Sequence, residues 1–115
     1  MKKRDWDAQV CRIEALITRW QPLLLPGDWR VRHHYGHEGE GKYTAEVDHR
    51  WEYQLATIRW CLPEVAQSSD EVLEEAAVHE FVHCLVGQLK RGRPKDVERV
   101  TTALSRAFLR VAEAK

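Results

Sequence analysis

The sequence of 115 residues has no hydrophobic run that could cross a bilayer, and it has only three cysteines. A transmembrane helix needs roughly 20 consecutive apolar residues, and residues 1–10 turn charged where a signal peptide would turn apolar. We therefore expect a cytoplasmic protein without a membrane partner. Cys11, Cys61 and Cys84 contain no CxxC pair, which excludes a disulfide framework and a thiolate zinc knuckle. We expect all three to be buried thiols.

The chain also lacks a net charge, because 18 basic residues balance 18 acidic ones. A dedicated nucleic-acid-binding domain carries a basic excess, so the balance argues against nucleic acid as a partner. The charges are nevertheless segregated, since residues 60–89 hold six acids and no Lys or Arg. A basic cluster, Lys90, Arg91, Arg93 and Lys95, follows them and could contact phosphate. Complementarity with the negative end of the preceding helix explains that cluster more simply.

The length fits one domain, residues 1–115. Apolar residues at helical spacing predict an amphipathic helix over residues 5–20, closed by Pro22. Alternating apolar and polar residues predict three strands, from Asp28 to Tyr35, from Tyr43 to Arg50 and from Gln54 to Leu62. Residues 36–42 form the predicted turn after the first strand.

Two further helices follow the predicted strands. Ser68 and Glu71 form a capping box that predicts a helix running to about Leu89. Pro94 begins the last helix, in which Val97, Val100, Leu104, Phe108 and Val111 form one apolar stripe. The order α, three β, α, α predicts an α+β fold with a small, mostly antiparallel three-stranded sheet.

His79, Glu80 and His83 form the pattern His-Glu-x-x-His inside the penultimate helix. At about 100° per residue the two histidines lie about 40° apart on one helix face, where both imidazoles can hold one zinc ion. Glu80 lies beside this face, so its carboxylate can take a proton from a zinc-activated water and pass it to a leaving amine. The pattern predicts His79 and His83 as metal ligands and Glu80 as a catalytic general base. The alternative is a surface histidine pair beside an unrelated glutamate.

A catalytic zinc site needs a third protein ligand. Downstream of His83 the sequence has no histidine, and its only cysteine, Cys84, points about 100° away on the helix. The carboxylates that remain are Asp96, Glu98 and Glu113. Glu113 lies near the end of the last helix, which we expect to fray, whereas Glu98 flanks the side that is predicted to pack inward. We choose Glu98 as the third ligand, with Asp96 as the alternative.

With these residues the sequence resembles the zincin metallopeptidases. A further glutamate on a later helix is similar to the gluzincin arrangement, and the likeness is greatest to very small gluzincin-like proteins, some of them phage-encoded. The resemblance rests on HEFVHCL at residues 79–85, on VERV at residues 97–100 and on the order of the elements. It implies a minimal zincin-like fold, a Zn²⁺ cofactor and the same ligands and base as above.

The resemblance also implies a substrate. In such a fold the edge strand of a sheet beneath the active helix receives an extended peptide or protein, and Tyr53 to Trp60 is the natural candidate for that strand. Larger gluzincins usually carry a His or Tyr after the third ligand that stabilises the oxyanion, and nothing after Glu98 can do so here. The group would come from upstream, where the candidates are His33, His34, Tyr35, His37, His49 and Tyr53.

Three functions follow from these observations. The first is a zinc-dependent metallopeptidase that hydrolyses peptide bonds with Glu80 as general base. The second is a zinc-binding protein of the same fold without turnover, which acts through contact with another protein. The third is a nucleic-acid-associated module that uses the basic cluster at residues 90–95, and we expect little such binding. The sequence favours the first.

Overall fold

Helices and a three-stranded sheet make up residues 3–25, 27–37, 43–87 and 94–113, which are the part of the chain that the computed structural model describes. The helices are α1 (Lys3–Leu24), α2 (Leu62–Gln67), α3 (Asp70–Val86) and α4 (Pro94–Glu113). The strands are β1 (Arg30–Gly36), β2 (Ala45–Arg50) and β3 (Leu55–Cys61), and a 3-10 turn, Trp51–Tyr53, joins β2 to β3. The predicted α+β class is confirmed. None of the described helices has an apolar stretch long enough to cross a membrane.

The sheet has the strand order β1-β3-β2, and β3 runs parallel to β1 and antiparallel to β2. The prediction of a mostly antiparallel sheet is therefore wrong for one of the two pairings. The last strand takes the central place because its inward side chains are the most deeply buried of the three strands, with Ile58 and Trp60 at most 1% exposed. As a result, β1 and β2 both lie at the edges of the sheet.

The hydrophobic core lies between one face of the sheet and helices α1 and α3. Ile13 and Trp20 of α1 meet Phe81 and Val82 of α3 in one cluster with the inward side chains of β3. The apolar residues predicted for the first helix all belong to this cluster or pack against it. Helix α1 continues past Pro22 to Leu24, beyond the predicted end at residue 20. A proline near the end of a helix removes only one backbone hydrogen bond, and Leu24 and Leu25 are buried beyond it.

The start of α3 differs from the predicted helix start in two respects. Helix α2, which the sequence pattern does not predict, precedes it, and Pro63 stands in the first turn of α2 where its missing N–H costs no hydrogen bond. The N-cap of α3 is Ser69 rather than Ser68, because the Ser69 hydroxyl accepts the Val72 N–H at 3.2 Å. The Ser68 hydroxyl instead donates to the carbonyl of Glu64 in α2.

Helix α4 packs against α3, but its contact face is rotated from the predicted apolar stripe. Thr101 and Ser105 are buried, whereas Val100, Leu104 and Val111 are 37–56% exposed. The hydroxyls of both buried residues donate to carbonyls one turn earlier in α4, at 2.7 Å, so these small side chains are satisfied where the two helices meet. The basic residues at 90, 91 and 93 and Leu89 lie outside the described residues.

The three cysteines divide between core and surface. Cys61 and Cys84 are buried, as predicted, but Cys11 is exposed, because it lies on the side of α1 that faces away from the core. Burial, and then the charge of Glu80, raises the pKa of Cys84 to about 12. This thiol therefore stays protonated and behaves as a small apolar side chain.

Candidate metal centre

His79 and His83 lie one turn apart on α3, as the spacing predicts. Their ring centroids are 4.7 Å apart and their planes cross at 77°. The two side chains are 24% and 21% exposed, so they stand at the surface of the helix layer rather than in its core. Both rings direct Nε2 toward the same carboxylate of α4.

That carboxylate belongs to Glu98. Its Oε1 lies 2.8 Å from His79 Nε2, and its Oε2 lies 3.1 Å from His83 Nε2. One ligand atom from each of the three residues falls within 4.8 Å of the other two. Ligands at 2.0–2.1 Å around a tetrahedral zinc ion are about 3.3 Å apart. Each histidine nitrogen lies close to that spacing from an oxygen of Glu98, at 2.8 Å and 3.1 Å.

Asp96, the alternative third ligand, takes no part in this cluster. Its Oδ1 accepts a 2.7 Å hydrogen bond from Arg99 Nη2. The two carboxylates stand two residues apart on α4, so the helix turns Asp96 about 160° from the direction of Glu98. The structure brings Glu98 and not Asp96 to the histidines.

Glu80 faces the same pocket from within the fold. It is only 8% exposed, and burial, followed by the nearby charges of Glu98 and Glu46, raises its pKa to about 8. The backbone N–H of Val47, which hydrogen-bonds the carboxylate, acts in the opposite direction. A divalent cation at the three-residue cluster would also stabilise the ionised form, since opposite charge lowers the pKa of a carboxyl group.

The electrostatics around His83 favour a neutral imidazole. Burial lowers the pKa of His83, and the neighbouring His79 lowers it further, while Glu98 raises it and His49 lowers it. Neutral imidazole is the form that coordinates a metal ion. The donor set of two imidazole nitrogens and one carboxylate is of the kind that catalytic zinc sites use.

One pocket contains the cluster and the general-base candidate together. It lies between α3, α4 and the edge strand β2. Its lining is Tyr43, Ala45, Glu46, Val47, His49, His79, Glu80, His83 and Glu98. The sequence patterns single out three of these, His79, Glu80 and His83, together with Glu98 as the chosen ligand. They gave no signal for Tyr43 or for the backbone of β2, since strand order is not readable from a local pattern.

The strand beside the pocket is β2, and the prediction of Tyr53 to Trp60 as the edge strand is wrong. That segment holds β3, which is paired on both sides. The N–H of Cys61 donates to the Thr44 carbonyl at 2.9 Å. Hydrogen-bonded and non-hydrogen-bonded residue pairs alternate along an antiparallel ladder, so this bond fixes which residues of β2 bond to β3. The residues that direct their N–H and C=O groups away from β3 are Ala45, Val47 and His49. In the described part of the chain no strand pairs with that edge.

The candidates for an oxyanion-stabilising group separate clearly by position. Of the six, only His49 lines the pocket. His33 is half-buried, and its Nδ1 accepts from Trp60 Nε1 at 3.0 Å while its Nε2 pairs with Gln21 Oε1 at 2.8 Å. His37 stacks on Trp6. The remaining three also lie away from the pocket lining; they are His34, Tyr35 and Tyr53.

His49 packs against the end of α3. A side chain at Gly87 would meet the imidazole ring, since a Cβ there would overlap Cε1. Within the described residues, Nδ1 of His49 is buried without a hydrogen-bond partner. The ring is thus held by close packing in the wall of the pocket, beside the metal-ligand candidate His83. A buried polar atom without a partner is rare in folded proteins and is found at functional sites.

Comparisons of the chain with family models, with curated protein sequences and with solved structures find no match in any of the three.

Proposed function

We propose that this chain is a zinc-dependent metallopeptidase of the zincin type. The observation that carries the proposal is the convergence of His79, His83 and Glu98 on one point, with the buried Glu80 facing the same pocket. Two imidazoles and one carboxylate leave a fourth tetrahedral position open to water or substrate. A purely structural zinc site closes all four positions with protein ligands, so this arrangement favours chemistry.

Each residue has a defined task in the proposed reaction. His79, His83 and Glu98 hold the ion, which when bound polarises a carbonyl oxygen and lowers the pKa of a water molecule. Glu80 takes a proton from the attacking water as its oxygen bonds to the scissile carbonyl carbon. Glu80 then delivers that proton to the amide nitrogen as the carbon–nitrogen bond breaks. The products are a carboxylic acid and an amine, and no covalent intermediate with the protein forms.

The walls of the pocket suit an extended peptide. Ala45 and His49 direct backbone donors and acceptors outward along the edge of β2, with which no strand of the described residues pairs. A substrate strand can pair with this edge by β-augmentation. Tyr43 and His49 are the lining side chains that can donate a hydrogen bond to a developing oxyanion. In this proposal one of these two residues takes the place of the oxyanion-stabilising His or Tyr that the sequence lacks after Glu98.

The proposal is tested with Glu80→Gln, which keeps the size and polarity of the side chain but removes its ability to take a proton. We expect zinc content and folding to stay unchanged while hydrolysis of an unfolded protein substrate falls by about 10²-fold or more. Glu71→Gln is the matched control, because Glu71 is an exposed residue of the first turn of the same helix. It should cleave as the wild type does.

The second function, zinc binding without turnover, makes a different prediction in the same experiment. Wild-type protein would bind one zinc ion through the same ligands and cleave none of a panel of unfolded proteins and peptides. Equal activity of the wild type and Glu80→Gln would contradict the role of Glu80 directly. Zinc analysis of both variants by mass spectrometry under native conditions separates a failure of metal binding from a failure of catalysis.

A further inference from the structure

The face of the sheet opposite the helices carries a cluster of arginines, which we call the arginine face. It is formed by the outward side chains of the three strands, where alternate positions are exposed or only half-buried. These side chains are Arg30, Arg32 and His34 on β1, Leu55, Thr57 and Arg59 on β3, and Glu46, Asp48 and Arg50 on β2. The face has four arginines against two carboxylates, on a chain whose total charge is zero. The neutral total therefore conceals a local basic excess.

The register of the sheet determines how these charges are spaced. Arg30 and Arg50 lie in one row across β3, at either side of Leu55. Strand spacing places their Cα atoms about 10 Å apart, and Arg30 and Arg32 are about 7 Å apart along β1. The guanidinium groups thus project from a hydrogen-bonded sheet.

Most of these arginines are not neutralised by a neighbour. Arg59 has Glu46 at 3.9 Å, an exposed and long ion pair. Arg30, Arg32 and Arg50 form no ion pair with any residue that the structure describes. Three guanidinium groups that have no ion pair among the described residues attract anions from one surface, and their planar donors match phosphate oxygens in a bidentate manner.

The chemistry of the face favours nucleic acid over an acidic protein. Protein interfaces have a core rich in apolar and aromatic side chains, whereas interfaces with nucleic acid are more polar and more positively charged. The only large apolar side chain on the arginine face is Leu55, and it is partly covered by its neighbours. Tyr53 is 65% exposed and stands two residues before Leu55, at the end of the face where Arg30 and Arg50 lie. An exposed aromatic ring beside basic groups is a platform on which bases stack.

We propose that the arginine face binds single-stranded nucleic acid. Arg30, Arg32 and Arg50 contact the phosphates, and Tyr53 stacks on a base at one end of the face. The exposed face of a sheet accommodates a single strand, whose bases can splay onto it. This binding goes beyond the proposed peptidase function and does not depend on it, since neither the three arginines nor Tyr53 lines the metal-centre pocket.

The test measures binding of a fluorescein-labelled oligothymidylate of about 20 nucleotides by fluorescence anisotropy, beginning at about 25 mM NaCl. With three phosphate contacts, we expect log K to fall with log[NaCl] with a slope of about −2. Arg30→Gln combined with Arg32→Gln should weaken binding at least about tenfold and reduce the slope by about 1.4, since two contacts are lost. The matched control is Arg106→Gln with Arg110→Gln, which removes the same charge from exposed positions of α4 and should change affinity less than about twofold.

A second variant separates nucleic acid from other polyanions. Tyr53→Leu should weaken oligothymidylate binding at least about fivefold and leave binding of inorganic polyphosphate unchanged. Three results would overturn the proposal: no binding at the lowest salt concentration, an equal loss in the α4 control, or equal affinity for poly-L-glutamate of matched length. Denaturant midpoints of all variants show whether each one is folded. Glu80→Gln, whose side chain lies in the metal-centre pocket, should bind the oligonucleotide as the wild type does.

Discussion

The contact between Gly87 and the His49 imidazole allows the packing of the pocket wall to be measured. In Gly87→Ala the new Cβ would overlap Cε1 of His49 and would lie 2.7 Å from its Nδ1. Atoms in contact are normally about 3.5 Å apart, so the ring must move by about 1 Å or the end of α3 must shift. The substitution therefore acts on the side of the pocket where His49 stands beside His83.

Two opposing effects determine how Gly87→Ala changes the free energy of unfolding. Forcing a methyl group into a packed site costs about 1–3 kcal/mol. Gly87 itself has right-handed helical angles, φ −57° and ψ −19°, so alanine in place of glycine stabilises that backbone by about 0.5–1 kcal/mol. We expect Gly87→Ala to lower the free energy of unfolding by about 1–2 kcal/mol in the wild type. In the His49→Ala background the clash is gone, and the same change should stabilise the protein by about 0.5–1 kcal/mol.

The double-mutant cycle is measured by urea unfolding of the four proteins, with the slope of each transition checked for constancy. The coupling energy between positions 49 and 87 should be about 2 kcal/mol. Zinc content of each protein reports whether displacement of the His49 ring disturbs the ligands. A coupling below about 0.5 kcal/mol, the level expected for independent sites, would refute the close packing of this ring on α3.

Burial lowers the pKa of His33 from 6.5 to about 4. Between these pH values the unfolded chain binds a proton that the folded chain does not, so the free energy of unfolding should fall by about 2 kcal/mol as pH drops from 6.5 to 4, after allowance for solvent screening. Unfolding of His33→Asn measured over the same pH range should lack this loss. Arg12 donates at 2.8–2.9 Å to the carbonyls of Val65 and Ser68 and also contacts Asp70. Arg12→Met should therefore lower the free energy of unfolding by about 2 kcal/mol in a denaturant titration. A loss near zero would contradict these hydrogen bonds. Zinc at 100 times its Kd should stabilise the wild type by about 2.7 kcal/mol. The resulting rise in Tm should vanish in Glu98→Ala and persist in Asp96→Ala. The opposite pattern would assign the third ligand to Asp96.

Local geometry explains which parts of the candidate site the sequence could predict. Residues 79, 80 and 83 belong to one helix, and the angle between helical positions depends only on their separation along the chain. The alternating patterns of the strands are equally local, and they place the inward and outward residues of β1 and β3 correctly. The N-cap was missed by one residue because Ser68 and Ser69 are chemically equivalent and only the neighbouring α2 distinguishes them.

The place of β2 at the edge beside the pocket was not predictable in the same way. Strand order depends on contacts between distant residues, such as the pairing of Arg30 with Leu55 and of Leu55 with Arg50. A pattern within one strand shows which side chains are buried but not which neighbour the strand takes. The same reason explains why the sequence patterns do not indicate Tyr43 in the pocket or the excess charge on the arginine face, and why they could not select His49 from the six oxyanion candidates.

By itself, the sequence determined the pair of imidazoles on one face of a helix and the glutamate beside them, because the helical repeat converts spacing into direction. It favoured Glu98 as the third ligand and kept Asp96 as the alternative. Only the tertiary structure shows which carboxylate lies near the histidines, because the packing of α4 on α3 brings the two oxygens of Glu98 to 2.8 Å and 3.1 Å from them. The tertiary structure also determines which strand borders the pocket. Because the deeply buried side chains of β3 place it at the centre of the sheet, β2 lies at the edge beside the pocket.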